Sequence, residues 1–377
     1  MTRQTGLPLV SIVTLNYNGK KFLAGFFESL QKCTYPNLEI IFVDNCSRDE
    51  SVSFVKKRFP DVKIVQNDEN YLFAKGNNEG LKVVKGKYIC VINNDVEVDP
   101  GFIEPIVAAF EKNAQLAAIQ PKILAMQQRD FLEYSGACGG FIDWLGFPFV
   151  RGRIFRTIEK DEGQYDQPTG LFWASGACIF LRKSAMDEVG NFDEDFELHM
   201  EEIDLCWRLR LHGWDIVAIP KARIWHYVGG TLNQDSPWKM YWNYRNNLFL
   251  LIKNLSALNL LLRMPLRIPL DVLALFIETL KGRFANGAAI IRGYVWVITH
   301  MGTVLRKRRA VQKSRKMTDA AVLSRMYRGS IVFEYFLLGK KRFSDLLFVD
   351  GLCKRSALNI EKTTNSIQTS GATLTNE

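Results

Sequence analysis

The sequence predicts an α/β protein, a mainly parallel mixed sheet flanked by helices, with a basic run of amphipathic helices behind it. Three observations carry that reading. Short β-branched runs alternate with helical patterns from residue 9 to residue 93. Three of those runs end in polar residues, at Asn16, at Asp44 and at Asn93 to Asp95. The positive charge of the chain is gathered in its C-terminal third. Strands alternating with helices at this spacing imply parallel strands joined by crossover helices. In such sheets a ligand sits at the carboxyl ends of the strands, so the residues just after each run are the ones to inspect.

In order, LVSIVTL (9–15) reads as the first strand, followed by a helix over 20–32, the strand LEIIFVD (38–44) and a helix over 49–59. The strand VKIVQN (62–67), a helix over 74–85 and the strand KYICVIN (87–93) continue the pattern. After Phe110, Gly-Gly, Trp-Leu-Gly and Phe-Pro sequences up to Pro168 read as long loops around an acceptor site. Order resumes with LFWASGACIFLRK (171–183), a helix in KSAMDEVG (183–190) and the helix MEEIDLCWRLRLHG (200–213), closed by Gly213. The strand WDIVAIP (214–220) and the segment HYVGGT (226–231) follow. This divides the chain into a nucleotide-binding catalytic domain (1–250), a basic helical region (251–355) and a polar tail (356–377) expected to be disordered.

Composition narrows the partners. Residues 251–350 hold 18 Lys+Arg against 6 Asp+Glu, which leaves the rest of the chain slightly acidic. The residues between those charges are Leu, Ile, Phe, Val and Trp, which suits an anionic membrane surface and not nucleic acid. Arg263, Arg267, Asp271, Glu278 and Arg292 interrupt the apolar runs, so interfacial helices are expected in place of a span. Seven scattered cysteines without a C-x-x-C pair read as reduced thiols. The N-terminus lacks a signal-peptide pattern, so the catalytic part is expected at the cytoplasmic face of a membrane. Neither G-x-G-x-x-G nor a P-loop occurs in the N-terminal half, which removes the main support for dinucleotide oxidoreductases and phosphate-loop NTPases.

The candidate chemistry lies at the strand ends. Asp44 fits a turn former, or a carboxylate accepting hydrogen bonds from a nucleobase or ribose. Asn93-Asn94-Asp95, with Glu97 and Asp99, offers the oxygen ligands that Mg²⁺ or Mn²⁺ needs beside a diphosphate, and also fits an ordinary loop before Pro100. His226 stands before two glycines and is a packed residue or a second metal contact. In the helix beginning at Glu201, spacing places Glu201, Asp204 and Arg208 on one face, expected to be a solvent-facing ion-paired stripe. Glu202 shares the inward face with Leu205, Cys206 and Leu209, which makes it the general-base candidate.

With these residues in hand, the chain resembles the family 2 glycosyltransferases of GT-A fold, and within them the rhamnosyltransferase-like branch. Six segments carry the resemblance in order: VSIVTLNYNGKKFL, IIFVDNCSRDES, NYLFAKGNNEGL, YICVINNDVEV, WASGACIFLRKSAMDEVGNFDEDFELHMEEIDLCWRLRLHGW and HYVGGT. The resemblance implies that Thr14, Asn16 and Asp44 hold the nucleoside and that Lys75 and Asn78 lie near the base or diphosphate. It implies further that Asp95, with Asn93 and Asn94 before it, ends a metal-binding motif. His226 is then a later metal contact, and Glu202 stands where the family has its catalytic base. Asn93 and Asn94 lower the charge of that motif, and Glu202 is longer than the usual Asp. The implied reaction is an inverting transfer from a nucleoside-diphosphate sugar, dTDP-rhamnose by branch resemblance, to a saccharide or polyprenyl-diphosphate acceptor, with a divalent cation. A membrane-bound scaffold without turnover and a sugar nucleotidyltransferase are the competing readings.

Overall fold

The computed structural model describes residues 6–227, 236–349 and 351–352; the polar tail and the glycines after His226 lie outside the described residues. The first seven elements follow the predicted alternation: β1 (Val10–Asn16), α1 (Lys20–Gln31), β2 (Leu38–Asp44), α2 (Ser51–Arg58), β3 (Lys63–Gln66), α3 (Leu72–Leu81) and β4 (Tyr88–Asn93). β3, β2, β1 and β4 lie side by side in that order, all parallel, with Asn16 opposite Asp44 and Leu15 opposite Asn93. That register brings the polar ends of three strands to one edge. Alternate residues serve opposite faces of the sheet. Ile12, Phe42 and Cys90 pack with Phe26 and Phe27 on one side, and Val13, Ile41, Val43 and Val91 with Ala74 and Trp207 on the other. α1 forms because Leu23, Phe26, Phe27 and Leu30 recur at helical spacing and bury one face.

Beyond β4 come β5 (Val96–Val98), α4 (Glu104–Lys112) and β6 (Leu116–Ala125), then four short strands, β7 (Gly140–Ile142), β8 (Pro148–Val150), β9 (Arg153–Ile154) and β10 (Thr157–Ile158). Here the expected long loops are corrected. β6 is a ten-residue strand buried throughout, and β7 to β10 form a second, antiparallel sheet. β11 (Thr169–Gly170), β12 (Cys178–Arg182), α5 (Lys183–Val189), α6 (Glu201–Leu211) and β13 (Asp215–His226) complete the main sheet in the order β11, β13, β6, β12, β4, with β5 also pairing β13. β13 runs parallel to β6 and ends at His226, so this residue arrives beside the end of β4 from a segment far away in sequence.

Helices fill the remainder: α7 (Pro237–Asn254), α8 (Ala257–Leu280), α9 (Phe284–Thr299), α10 (Met301–Ser314), α11 (Asp319–Leu323) and α12 (Ile331–Phe336). The boundary expected at residue 250 falls inside α7, whose Leu248, Phe249, Leu250 and Leu251 belong to the same core as the sheet. α7 also packs over α6. As a result α6 is covered on nearly every side, and Glu201, Asp204 and Arg208 are buried where a solvent-facing stripe was expected. Asp204 accepts from Arg208 Nε and Lys253 Nζ, both at 2.8 Å, and from Asn254 Nδ2 at 2.9 Å. Burial opposes the Asp204 charge, and Lys253 and Arg208 outweigh it and hold the carboxyl below its usual range.

Candidate active site

A continuous polar line crosses the carboxyl ends of β2, β1, β4 and β13. It starts at Asp44, whose Oδ1 accepts from Asn16 Nδ2 at 3.0 Å and whose Oδ2 accepts from the Ser47 N–H at 2.9 Å. Asn16 accepts in turn from Asn94 Nδ2 at 2.6 Å. Gly19 keeps this junction open: a Cβ there would stand 2.5 Å from both Asn16 Oδ1 and Asn94 Nδ2. Thr14 lies two residues earlier in β1, fully covered, with its hydroxyl unpartnered among the described residues. Asn45 organises the next turn, donating to Asn70 Oδ1 and the Leu72 carbonyl, each at 3.0 Å. Gly76 lets α3 approach it, since a Cβ there would meet Asn45 Nδ2 at 2.9 Å.

The line continues through Asn93, Asp95 and His226. His226 Nε2 lies 3.1 Å from Asp95 Oδ1 and 3.3 Å from Asn93 Nδ2, while Nδ1 lies 3.1 Å from Glu133 Oε1. Burial works against a charge on this ring, but Glu133 and Asp95 outweigh it and raise its pKa to about 10. Glu133 is fully buried; burial opposes its ionisation, yet His226 and the Gly136 and Ser135 N–H groups hold its carboxyl below the usual range. The structure thus brings together the two sequence-predicted metal contacts, Asp95 and His226, and adds Glu133 behind the histidine. Nothing periodic surrounds Glu133 in sequence, so only its place before Ser135-Gly136 could have pointed to an N–H-binding turn.

The second centre is the pair Glu201 and Glu202. Both carboxyls have a buried Oε2 with no partner among the described residues. Burial, then repulsion from Glu202, raises Glu201 well above the carboxylate range. Burial pushes Glu202 to about 7, against backbone N–H bonds from its own residue, Gly176, Ile203 and Met200. Gly176 joins this pair to the polar line, because its neighbour Ala177 accepts the Asn93 N–H at 3.1 Å. The pair is delivered by a strained segment: Glu197, His199 and Met200 all have positive φ, between 60° and 71°. α7 pins that segment. Asn246 Nδ2 lies 2.8 Å from the Phe196 and Leu198 carbonyls and 2.7 Å from that of His199, and Arg245 Nη2 donates to Asp195 O at 2.6 Å.

Asn78 and Lys75 each have protein partners in this structure. Asn78 donates to Phe192 O at 2.9 Å and to Glu194 Oε1 at 3.0 Å, bracing α3 against the same segment. Lys75 is partly exposed and stands 3.3 Å above the Tyr71 ring.

Residues 11–190 match the family model described as glycosyl transferase family 2. This part of the chain is a family 2 glycosyltransferase domain. The chain is 26% identical over 245 residues to N-acetylglucosaminyl-diphospho-decaprenol L-rhamnosyltransferase of Mycobacterium tuberculosis, covering 60% of this chain and 78% of that one. It is 25% identical over 225 residues to poly-beta-1,6-N-acetyl-D-glucosamine synthase of Staphylococcus epidermidis, covering 59% of this chain and 51% of that one. The solved structure of GalNAc-T7 with UDP, GalNAc and Mn2+ superposes with a TM-score of 0.53 at 18% identity, over 66% of this chain and 48% of that one. That likeness shows the fold, so the family and the GT-A architecture read from the six segments are both borne out. The chain spans about half the length of the last two proteins.

Proposed function

We propose that this glycosyltransferase moves a sugar, with inversion, from a nucleoside-diphosphate sugar to a lipid-linked or saccharide acceptor in bacterial surface polysaccharide synthesis. It works at the cytoplasmic face of the inner membrane. The relatives support the acceptor class by name, one acting on a decaprenol-diphosphate glycolipid and one building a polysaccharide. dTDP-rhamnose is the finer donor reading, and the first of those names supports its rhamnosyl part.

The observation that carries the reaction is the Glu201–Glu202 pair next to the polar line. A carboxylate there with a pKa near neutrality takes the proton of an acceptor hydroxyl as it attacks the anomeric carbon opposite the diphosphate, and no covalent enzyme intermediate forms. Asn16, Asp44 and Asn94 are placed to bind and orient the nucleoside part of the donor. The same pair argues against a scaffold without turnover, because two buried, partly unsatisfied carboxyls cost stability that a scaffold has no use for.

The residues present fit a divalent cation. Asp95 Oδ1 is a buried oxygen paired with His226 Nε2 at 3.1 Å, and without the proton they share, that oxygen and the ring nitrogen would be two ligands for an ion. No cluster of three or more His, Cys, Asp or Glu that could hold a metal ion occurs among the described residues, so two protein ligands would leave the remaining positions to diphosphate oxygens and water. Asp95 and His226 would hold it, and the ion supplies positive charge against the departing diphosphate.

Nucleoside diphosphate release, measured with donor and acceptor, tests the reading. Glu202→Gln is expected to bind donor normally and to lose ~10²–10⁴-fold in turnover. Collapse in Glu201→Gln with near-normal Glu202→Gln would move the role one residue earlier; near-normal turnover in both would remove this helix from the mechanism.

A further inference from the structure

α8 carries its charges inward and its apolar residues outward. Arg263, Arg267 and Asp271, four residues apart, are 3%, 4% and 5% exposed. Each has protein partners. Arg263 Nη1 donates to Trp144 O at 2.7 Å, Arg267 Nε donates to Asp271 Oδ1 at 3.0 Å, and Tyr294 of α9 donates to Asp271 Oδ2 at 2.7 Å. The opposite face presents Leu261, Leu262, Leu266, Leu273, Phe276 and Leu280 at 52–86% exposure. The apolar surface continues over Phe284 and along α9 through Ile291, Val295 and Ile298. A water-facing helix has the reverse pattern. An apolar surface of this extent marks an interaction site.

The charges around this face identify its occupant. Between residues 255 and 318 the only acids are Asp271 and Glu278, and arginines hold both, Arg267 the first and Arg283 the second. Lys281, Arg292, Arg306, Arg309 and Lys313 are exposed. A second copy of this face would bring like charge against like. Acyl chains beneath anionic headgroups match both the apolar helix faces and the basic rim. No single helix among the described residues is long and apolar enough to cross a membrane, and α9 and α10 reach that length and composition only together, across a 70° bend. Pro265 and Pro269 inside α8 each remove one ladder hydrogen bond, which leaves the Leu261 and Pro265 carbonyls needing water and limits how deep the helix can sit.

We propose that the outer face of α8 and α9 embeds shallowly in the lipid bilayer, holding the enzyme by acyl-chain contact, with the basic residues of α9 and α10 at anionic headgroups. This extends the proposed membrane-side setting, and its support is separate from the transfer reaction. It also corrects the expected mechanism of attachment. Arg263 and Arg267 were counted among the lipid-facing charges, and the structure turns both into the protein.

The test is sedimentation of the full chain with vesicles of phosphatidylcholine and phosphatidylglycerol. Binding is expected to persist in ~1 M salt, where the screening length falls to ~3 Å, because apolar contact is not screened. Leu261→Glu combined with Phe276→Glu alters only exposed side chains and is expected to weaken binding at least ~10-fold, since carboxylates resist leaving water for an apolar medium. Transfer to a water-soluble acceptor should be unchanged in that variant, so failed attachment and failed chemistry are told apart. Arg306→Glu with Arg309→Glu should weaken binding at low salt alone. Loss of all parent binding at high salt, or normal binding by the Leu261/Phe276 variant, would overturn the proposal. So would a parent that is a dimer in solution, binds no vesicles and becomes a monomer on the Leu261/Phe276 change.

Discussion

Glu201 and Glu202 are adjacent in sequence and share one buried setting, so ionising either makes the other harder to ionise. The folded pKa of Glu202, about 7, lies above the ~4.3 of a free glutamate, so protons favour the folded state and stability falls as pH rises between those values. Two consequences share this sign. Turnover should climb with pH up to about 7 and then level, following the fraction of base that is ionised. Glu202→Gln should melt above the parent at pH 8, with the gain shrinking towards pH 5, where the parent carboxyl is already protonated. A turnover profile flat from pH 5 to pH 8 would contradict both. At this scale the strand-end residues were legible in the sequence, because Asn16, Asp44 and Asp95 close apolar runs. Glu201 was misread, since spacing around one helix says nothing about a second helix lying on its outer side. Glu133 was invisible because its partner, His226, is distant in sequence and only the pairing of β13 with β6 brings the two within reach.

The segment between Asp195 and Met200 has little regular structure of its own and is held from outside. The Phe73 and Ala74 N–H groups at the start of α3 donate to Glu197 O at 3.0 and 3.1 Å, and Asn246 of α7 faces three further carbonyls. Asn246→Ala leaves those carbonyls without their donor, costing about 1–3 kcal/mol of stability. It should lower kcat with little change in donor KM. The acid limb of the pH profile should also move to lower pH as water reaches the Glu201–Glu202 pair, a change that a merely weaker fold does not produce. Rescue by Asn246→Gln is not expected, because the longer amide cannot keep all three contacts. Elements with strong alternation, β1 to β4, were readable. β6 was not, for a physical reason: Gln120, Pro121 and Lys122 sit in its middle, a composition that argues against a buried strand. The structure satisfies each locally. Gln120 Nε2 donates to Gly136 O, Lys122 pairs with Asp161 and Asp166, and a register shift in β13 lies beside Pro121.

Across the whole molecule, the helical region and the sheet share one core. Tyr327, Ile331, Phe343 and Leu346 belong to the same cluster as Phe141, Phe149 and Trp207, and Phe343 lies against both Phe141 and Phe149. A chain cut after residue 250 would lose these side chains and the last turn of α7, including Lys253 and Asn254, which neutralise and bind Asp204. Such a fragment is expected to be protease-sensitive and without a cooperative melting transition, measured beside the full chain in the same detergent. A soluble, cooperatively folded fragment would show that the sheet stands alone. Testing the proposed lipid contact while keeping the fold therefore calls for substitutions on the outer face of α8, and not for truncation.

Asp143 adds a constraint in time. Its buried carboxyl accepts the N–H groups of Leu145 and Phe147 nearby, and also that of Ile331, 188 residues further along the chain. During synthesis the turn at residue 143 leaves the ribosome first, and its third donor does not exist until 188 more residues have been added. The apolar helices α8 and α9, which lie between the two, emerge first. The turn that follows β7 thus gains its last hydrogen bond only after α8 and α9 have been made.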